Sequence, residues 1–192
     1  MTEERDERAV SLMLALSEGR DDALNALMAD WSAPLIAYLS KLTGSVSTGE
    51  DLAQETFVRI YRHKLDYRPH QKFSTWMYAI ATNLARNHHR WKQRHPEDSV
   101  EPENLSGLAA AATTDDPHQS ASRSETMRAL AQAMKKLPDT YREALLLSTS
   151  QGLSHSQIAR VQDSTEKAVE VRIYRARQIL RELMAAHLDE SN

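Results

Sequence analysis

Three histidines near the middle of the chain, His88, His89 and His95, are the side chains whose types most directly suggest chemistry. Adjacent residues on a helix point about 100° apart, so His88 and His89 cannot easily share one metal ion. No carboxylate stands four residues after either of them to complete a ligand set. The chain has no cysteine, which excludes thiolate ligands and disulfides. We therefore expect no metal and no other cofactor.

Catalytic motifs are also missing from the sequence. It contains no Gly-rich phosphate loop, no nucleophile elbow and no paired-carboxylate motif. We expect that the protein is not an enzyme. Its N-terminus is too charged for a secretory signal, and no apolar run approaches the ~20 residues needed to span a bilayer. These features predict a cytoplasmic protein without membrane insertion.

Charge is segregated along the chain, although the formal net charge is only −3. Residues 86–95 hold four basic side chains and no acidic one, and residues 123–181 hold eleven basic against six acidic. Between them, residues 96–122 hold six acidic side chains and no Lys or Arg. The net charge is unfavourable for a nucleic-acid binder, but each basic patch by itself is suited to contact phosphate.

The elements that position these patches are helices, because glycine and proline are few and helix formers abound. The segment 97–122, rich in Pro, Ser, Thr and Ala, is predicted to be a flexible acidic linker. It divides an all-α chain into two small helical domains, 1–96 and 123–192. In the first, apolar periodicity predicts helices over about 6–18, 21–42, 47–64 and 74–94. We expect Pro34 to kink or split the second helix, and Ser47 with Glu50 to form a capping box for the third.

The C-terminal domain has the pattern of a helix-turn-helix. A helix over about 123–136 ends at Leu137-Pro138, and the next ends at Gly152. Ser154 and Gln157 have capping-box spacing and begin a short helix, 155–162. A tight turn, 162–164, then leads into a long basic helix, 165–187.

At this point two pairs of segments resemble a known family, the extracytoplasmic-function (ECF) sigma factors. GEDLAQETFVRIYRH (49–63) and FSTWMYAIATNLARNHHRWKQR (73–94) resemble their region 2. LPDTYREALLLSTSQGLSHSQIARV (137–161) and STEKAVEVRIYRARQILREL (164–183) resemble their region 4. The resemblance implies a DNA-binding subunit that binds core RNA polymerase and directs it to promoters, under the control of an anti-sigma factor. The linker is then either a plain spacer or a segment threaded through the polymerase. The alternative is a stand-alone helix-turn-helix regulator with a helical dimerisation domain.

The resemblance assigns roles to residues of region 2, each beside a simpler interpretation. Asp51, Gln54 and Glu55 would bind core polymerase, whereas by residue type alone they form a solvated helix face. The loop before the fourth helix, and the exposed face of that helix, would recognise the −10 element. The candidates are Tyr67, Arg68, Lys72, Asn83, Arg86, Asn87 and Arg90. Tyr67 could equally be a buried loop anchor.

In region 4 the last helix would read the −35 element. Its candidates are Lys167, Glu170, Val171, Arg172, Tyr174 and Arg175. The sequence departs from the family in two places. Gln162-Asp163 stands where members commonly have Leu-Gly, and Glu170-Val171 stands where they often have a basic residue and a hydroxyl. Glu170 could accept from a cytosine amino group and Val171 could touch a thymine methyl. Alternatively, Glu170 pairs along the helix with Arg172 or Lys167.

Overall fold

The computed structural model describes residues 2–95 and 117–190, and their side chains over 3–95 and 125–185. Within these ranges every regular element is helical, as predicted. The eight α-helices and one 3₁₀ turn, η1, are α1 (Thr2–Ser17), α2 (Asp22–Thr43), α3 (Val46–Arg62), η1 (Lys64–Asp66), α4 (Phe73–Arg94), α5 (Pro117–Lys135), α6 (Asp139–Thr149), α7 (His155–Val161) and α8 (Glu166–Glu190). Over the same part of the chain, no helix is long and apolar enough to cross a membrane.

The N-terminal module, α1 to α4, is organised around α2, which packs against the other three helices. Its buried side chains recur along one stripe and include Leu27, Trp31, Leu35 and Tyr38. The ring of Trp31 meets that of Phe73, at the start of α4, edge to face at 5.5 Å between centroids. The four-helix architecture predicted for this module is therefore confirmed, and α4 is anchored to α2 at its first residue.

Two local predictions in this module, a split of α2 at Pro34 and the capping box of Ser47 and Glu50, are wrong. Helix α2 is continuous through Pro34, because burial of its apolar stripe on three helices outweighs the one backbone hydrogen bond that proline removes. Helix α3 is capped by Ser45 rather than Ser47. Gly44 ends α2 in the left-handed region at φ 78°, so Ser45 is already extended and its hydroxyl accepts from the Thr48 N–H. The capping box predicted for Ser47 and Glu50 therefore lies inside the helix.

The C-terminal module, α5 to α8, contains the expected helix-turn-helix in α7 and α8. The capping box of Ser154 and Gln157 is confirmed: the Ser154 hydroxyl accepts from the Gln157 N–H, and the Gln157 side chain accepts from the Ser154 N–H. The spacing of Val169, Ile173 and Ala176 predicts one apolar face of α8, and all three are buried in the core. In the turn, Asp163 has a φ of 48°, a left-handed conformation that favours glycine and that Asp tolerates better than most residues.

The linker prediction falls largely outside the described residues, in 97–116. Residues 117–122, also predicted as linker, belong to α5. Pro117 is one of the prolines that predict a linker here. It occupies the first position of the helix, where proline has no hydrogen bond to lose and its fixed φ suits the helix.

The two modules are in contact along one face. Helix α7 packs on α4 and helix α6 on α2, and the buried apolar residues of both modules form one continuous cluster. Polar side chains also cross this boundary, among them Arg86, Glu143, Gln151 and Gln157.

Candidate nucleic-acid interface

Three of the residues predicted to read the −10 element form one exposed strip on α4. Asn83, Asn87 and Arg90 follow one another at helical spacing and all three are exposed. The Arg90 guanidinium donates to the Asn87 side-chain oxygen at 3.0 Å. Amide and guanidinium groups aligned in this way supply donors and acceptors for base edges and a positive charge for phosphate.

Arg86 lies on a different side of α4, turned toward the C-terminal module. Its Nε and Nη2 donate to the two carboxylate oxygens of Glu143 at 2.8 and 2.5 Å. This pairing holds the pKa of Arg86 above its ordinary value, against the opposing effect of burial. Arg86 is therefore an ion-pair partner across the modules in this structure and is not part of the exposed strip.

The loop before α4 presents two basic residues and buries its aromatic one. Arg68 and Lys72 are exposed, while Tyr67 is only 6% exposed. The Tyr67 hydroxyl donates to the Gln71 carbonyl at 2.7 Å, and its ring contacts those of Phe73 and Trp76. Burial, with a smaller effect of the Asp6 charge, raises the pKa of Tyr67 to about 12. These contacts describe a loop anchor, so stacking of a base on this ring would require the loop to open.

Helix α4 is capped by a residue from the other end of the module. Lys72 occupies the N-cap position but its side chain does not cap the helix; it donates to Glu3 at 3.2 Å. Instead, the carboxylate of Asp6, on α1, accepts from the Ser74 N–H at 2.7 Å and from the Ser74 hydroxyl at 2.8 Å. Asp6 is 4% exposed. Its negative charge lies at the positive end of the α4 dipole, which stabilises it there. Nothing local in the sequence marks Asp6, since Ser74 is 68 residues away.

The residues predicted to bind polymerase lie on the outer side of α3. Asp51 and Gln54 are exposed, and Glu55 is half-buried and accepts from Arg59 at 2.9 Å, one turn later. Leu52, Phe57 and Ile60 are buried on the opposite side. The exposed face of α3 is thus acidic and polar, on a helix held rigidly by its apolar side.

The recognition helix α8 exposes two large apolar side chains, Val171 at 41% and Tyr174 at 63%. Lys167 donates to Glu170 at 2.8 Å, and this hydrogen bond lowers the pKa of Glu170. In this structure Glu170 therefore pairs along the helix with Lys167, as in the interpretation that gives it no contact with a base. Val171 and Tyr174 line a recess of about 370 Å³ with His155, which the sequence analysis did not single out.

The other two candidates of α8 differ in their surroundings. Arg175 is exposed, whereas Arg172 is half-buried and donates to the Gln162 side-chain oxygen at 2.7 Å. Exposed apolar side chains can contact the methyl groups of thymine, and the basic side chains next to them can contact phosphates.

The histidines are dispersed over the surface of α4. His89 lies 3.6 Å from Asp139, and His95 stacks on Trp91 at 5.1 Å between centroids. In residues 2–95 and 117–190, no group of three potential ligands is arranged to hold a metal ion. Trp91 follows Trp76, Ile80 and Leu84 at roughly helical spacing, which predicts a core residue. It is instead 45% exposed, because it stands in the last turn of α4, where its ring lies against His88 and His95.

An all-helical protein with an exposed amide and guanidinium strip in one module and a helix-turn-helix in the other has the features of a two-module DNA-binding protein. The family model for sigma-70 region 2 matches residues 27–95, and the model for sigma-70 region 4 matches residues 127–180. The chain belongs to the sigma-70 family of sigma factors and is of the ECF type.

Individual relatives and solved structures agree with this assignment. The RNA polymerase sigma-H factor of Pseudomonas aeruginosa is 29% identical over the whole of both chains. The ECF RNA polymerase sigma-E factor of Escherichia coli is 28% identical over 88% of this chain and 90% of its own. CnrH, solved with the cytosolic domain of CnrY, has the same fold (TM-score 0.71, 24% identity, 93% of this chain and 98% of that one). So does RpoE of Bartonella quintana, solved with the anti-sigma factor NepR (0.69, 23%, 86% and 98%).

Proposed function

We propose that this protein binds core RNA polymerase and directs it to promoters as a bipartite DNA reader. The observation that carries the proposal is the order of the two matches, since region 2 and region 4 occur on separate helical modules of one chain. Residues 1–96 would bind polymerase and open the −10 element, and residues 123–192 would read the −35 element. Residues 97–122 would link these two domains. The protein would act in the cytoplasm and without a catalytic site of its own.

The stand-alone regulator is the weaker alternative. It accounts for the helix-turn-helix but gives no reason for a region 2 match over residues 27–95. An anti-sigma factor is a further proposed partner. It is supported by the solved complexes of RpoE with NepR and of CnrH with the cytosolic domain of CnrY, whose folds this chain shares.

The polymerase contact can be tested by reversing one charge on the outer face of α3. Asp51→Arg is expected to weaken binding to core polymerase about tenfold or more, because a like charge replaces an attractive one at a surface that meets basic residues. Pull-down with purified core polymerase and run-off transcription from a bound promoter would measure it. Glu7→Arg, the same type of reversal at an exposed position of α1, is the matched control. A wild-type chain that binds DNA tightly but does not bind core polymerase would favour the stand-alone regulator.

At the −35 element we propose that α8 enters the major groove, with Glu170, Val171 and Tyr174 toward the bases and Lys167, Arg172 and Arg175 toward phosphates. At the −10 element, Asn83, Asn87 and Arg90 would contact the opened strand together with Arg68 and Lys72. Arg86 would join them only after it leaves Glu143, and Tyr67 would join only after its loop opens. Two observations support this order of engagement: Asn83, Asn87 and Arg90 are exposed, and Arg86 is paired with Glu143.

The unusual acid on the recognition helix allows a sharp test of base reading. If Glu170 accepts from a cytosine amino group, Glu170→Ala should reduce discrimination for that base pair about tenfold at one position of the −35 element, since alanine has no acceptor and one good contact is worth about 1–3 kcal/mol. Transcription from a library of promoters randomised at −35 would measure it. Glu166→Ala, which removes an exposed acid in the first turn of the same helix, is the control. An unchanged preference would mean that Glu170 serves only as the partner of Lys167.

A further inference from the structure

Three features remain unexplained by promoter reading. Glu143 is a charged residue only 1% exposed, Arg86 is turned away from the exposed strip of α4, and Gln162, in the turn of the helix-turn-helix, is a polar residue only 7% exposed. The structure joins all three. One carboxylate oxygen of Glu143 accepts from Arg86 Nε at 2.8 Å. The other accepts from Arg86 Nη2 at 2.5 Å and from Gln162 Nε2 at 2.9 Å.

The burial of Glu143 makes this arrangement depend on both modules. A carboxylate withdrawn from water is stable only when opposite charge and hydrogen-bond donors replace its hydration. Gln162 belongs to the same module as Glu143, but the positive charge comes from Arg86 of the other module. The carboxylate therefore has its full set of partners only while the two modules are in contact.

Other hydrogen bonds also cross the same boundary. The Tyr78 hydroxyl donates to the Gln151 side-chain oxygen at 2.5 Å, and Gln157 Nε2 donates to the Thr75 hydroxyl at 3.3 Å. Thr75 and Tyr78 are each 1% exposed. Water can replace each of these bonds when the modules separate, so the net stabilisation from each is modest. A boundary of this kind specifies one closed arrangement and can still be opened by a competing partner.

Gln162 also connects the boundary to the recognition helix. Its Nε2 donates to Glu143 and to the Thr140 carbonyl at 2.8 Å, while its oxygen accepts from Arg172 at 2.7 Å. A leucine at this position could make none of these bonds. The amide thus continues the hydrogen-bond chain from Arg86 on α4 to Arg172 on α8.

We propose that Arg86, Glu143 and Gln162 form a latch that holds the free protein closed and withholds Arg86 from promoter DNA. Arg86 cannot donate to Glu143 and to a phosphate at once, so engagement of the −10 element through Arg86 requires the latch to open. The contacts that make the closed state all lie within the chain.

Distance measurements on the free full-length chain test the latch, and they are simple to set up because the chain has no cysteine. Lys41→Cys and Arg181→Cys, two exposed positions that line one recess between the modules, would carry the dyes for single-molecule energy transfer. The otherwise wild-type chain should show one dominant population of high transfer. Arg86→Gln and Gln162→Leu should each lower the ratio of closed to open chains, by about tenfold for Arg86→Gln, which removes a charge-assisted pair.

Controls separate opening from unfolding. Arg86→Gln changes only the N-terminal side, so it tests the latch even if changes near Glu143 disturb the C-terminal module. Asp30→Asn breaks an ion pair with Arg8 inside one module and should leave the transfer unchanged. Circular dichroism would verify that each variant keeps its helices. Unchanged transfer in both latch variants, or a wild-type chain already spread over open distances, would overturn the proposal.

A second readout addresses the withholding of Arg86. In gel shifts without polymerase, Gln162→Leu should bind single-stranded −10 DNA several-fold more tightly than the wild type. The double variant with Arg86→Gln should lose that gain. An opened chain with unchanged DNA affinity would contradict this part of the proposal. The energy-transfer measurement uses neither polymerase nor DNA, so its outcome is independent of the proposed transcriptional role.

Discussion

Asp6→Ala is expected to lower the free energy of unfolding by about 3 kcal/mol, because it removes the carboxylate that accepts two hydrogen bonds at the start of α4. The Ser74 N–H and hydroxyl would be left buried without an acceptor, since Ser74 is 1% exposed. For a chain of this size the thermal midpoint should fall by roughly 6 to 12 °C. Thermal unfolding followed by circular dichroism measures the change.

Two companion variants separate the cap from other effects of the substitution. Glu7→Ala removes an exposed acid from the same helix and should leave the midpoint almost unchanged. Asp6→Asn keeps one acceptor but turns an amide NH₂ toward one of the two Ser74 donors, so its midpoint should lie between those of wild type and Asp6→Ala. If Asp6→Ala unfolds at the wild-type temperature, the cap from α1 contributes nothing.

The loss of this cap should also affect the surface that we propose contacts the −10 element. Helix α4 carries Asn83, Asn87 and Arg90, and its first turn adjoins the loop with Arg68 and Lys72. If the first turn frays, the loop loses its fixed relation to the helix. We therefore expect Asp6→Ala to reduce open-complex formation more strongly than binding to core polymerase, whose proposed contacts lie on α3.

Gly49→Ala is expected to destabilise the protein by about 3 kcal/mol through overpacking between α2 and α3. A Cβ built at Gly49 would lie 2.3 Å from the Ser40 hydroxyl, 2.7 Å from its backbone nitrogen and 2.9 Å from its Cα. Two of these atoms belong to the backbone of α2 and cannot rotate away, so the helices must separate. Chemical denaturation would measure the loss.

The neighbouring residue provides the control for this substitution. Glu50→Ala adds no atom at the helix contact, because Glu50 is exposed, and should change stability by less than about 0.5 kcal/mol. Adding Ser40→Gly to Gly49→Ala should restore only part of the loss, since the backbone contact at 2.7 Å remains. Displacement of α3 would also move Asp51 and Gln54. The variant should consequently bind core polymerase more weakly even at temperatures where it is folded.

The local sequence pattern was sufficient to predict those features that depend on residues close together in the chain. The helices follow from apolar periodicity, and the Ser154 and Gln157 capping box follows from spacing, because donor and acceptor are three residues apart. Pattern failed where packing outweighed a local preference. Pro34 remains inside a continuous helix because three other helices bury α2, and Trp91 is exposed because the last turn of α4 lacks the neighbours that cover its middle.

By itself the sequence determined the helical class, the two regions of the sigma-70 family and the segregation of charge, since each of these is written in residues close together along the chain. Only the tertiary structure decided that Asp6 caps α4 across 68 residues and that Arg86 pairs with Glu143 across 57. Periodicity shows which face of a helix is apolar. It contains no information on which polar groups, distant in sequence, will pair when the helices pack. The partners of a buried charge are determined by how the helices pack, and here that packing places Arg86, which we propose contacts promoter DNA, at the boundary between the two modules.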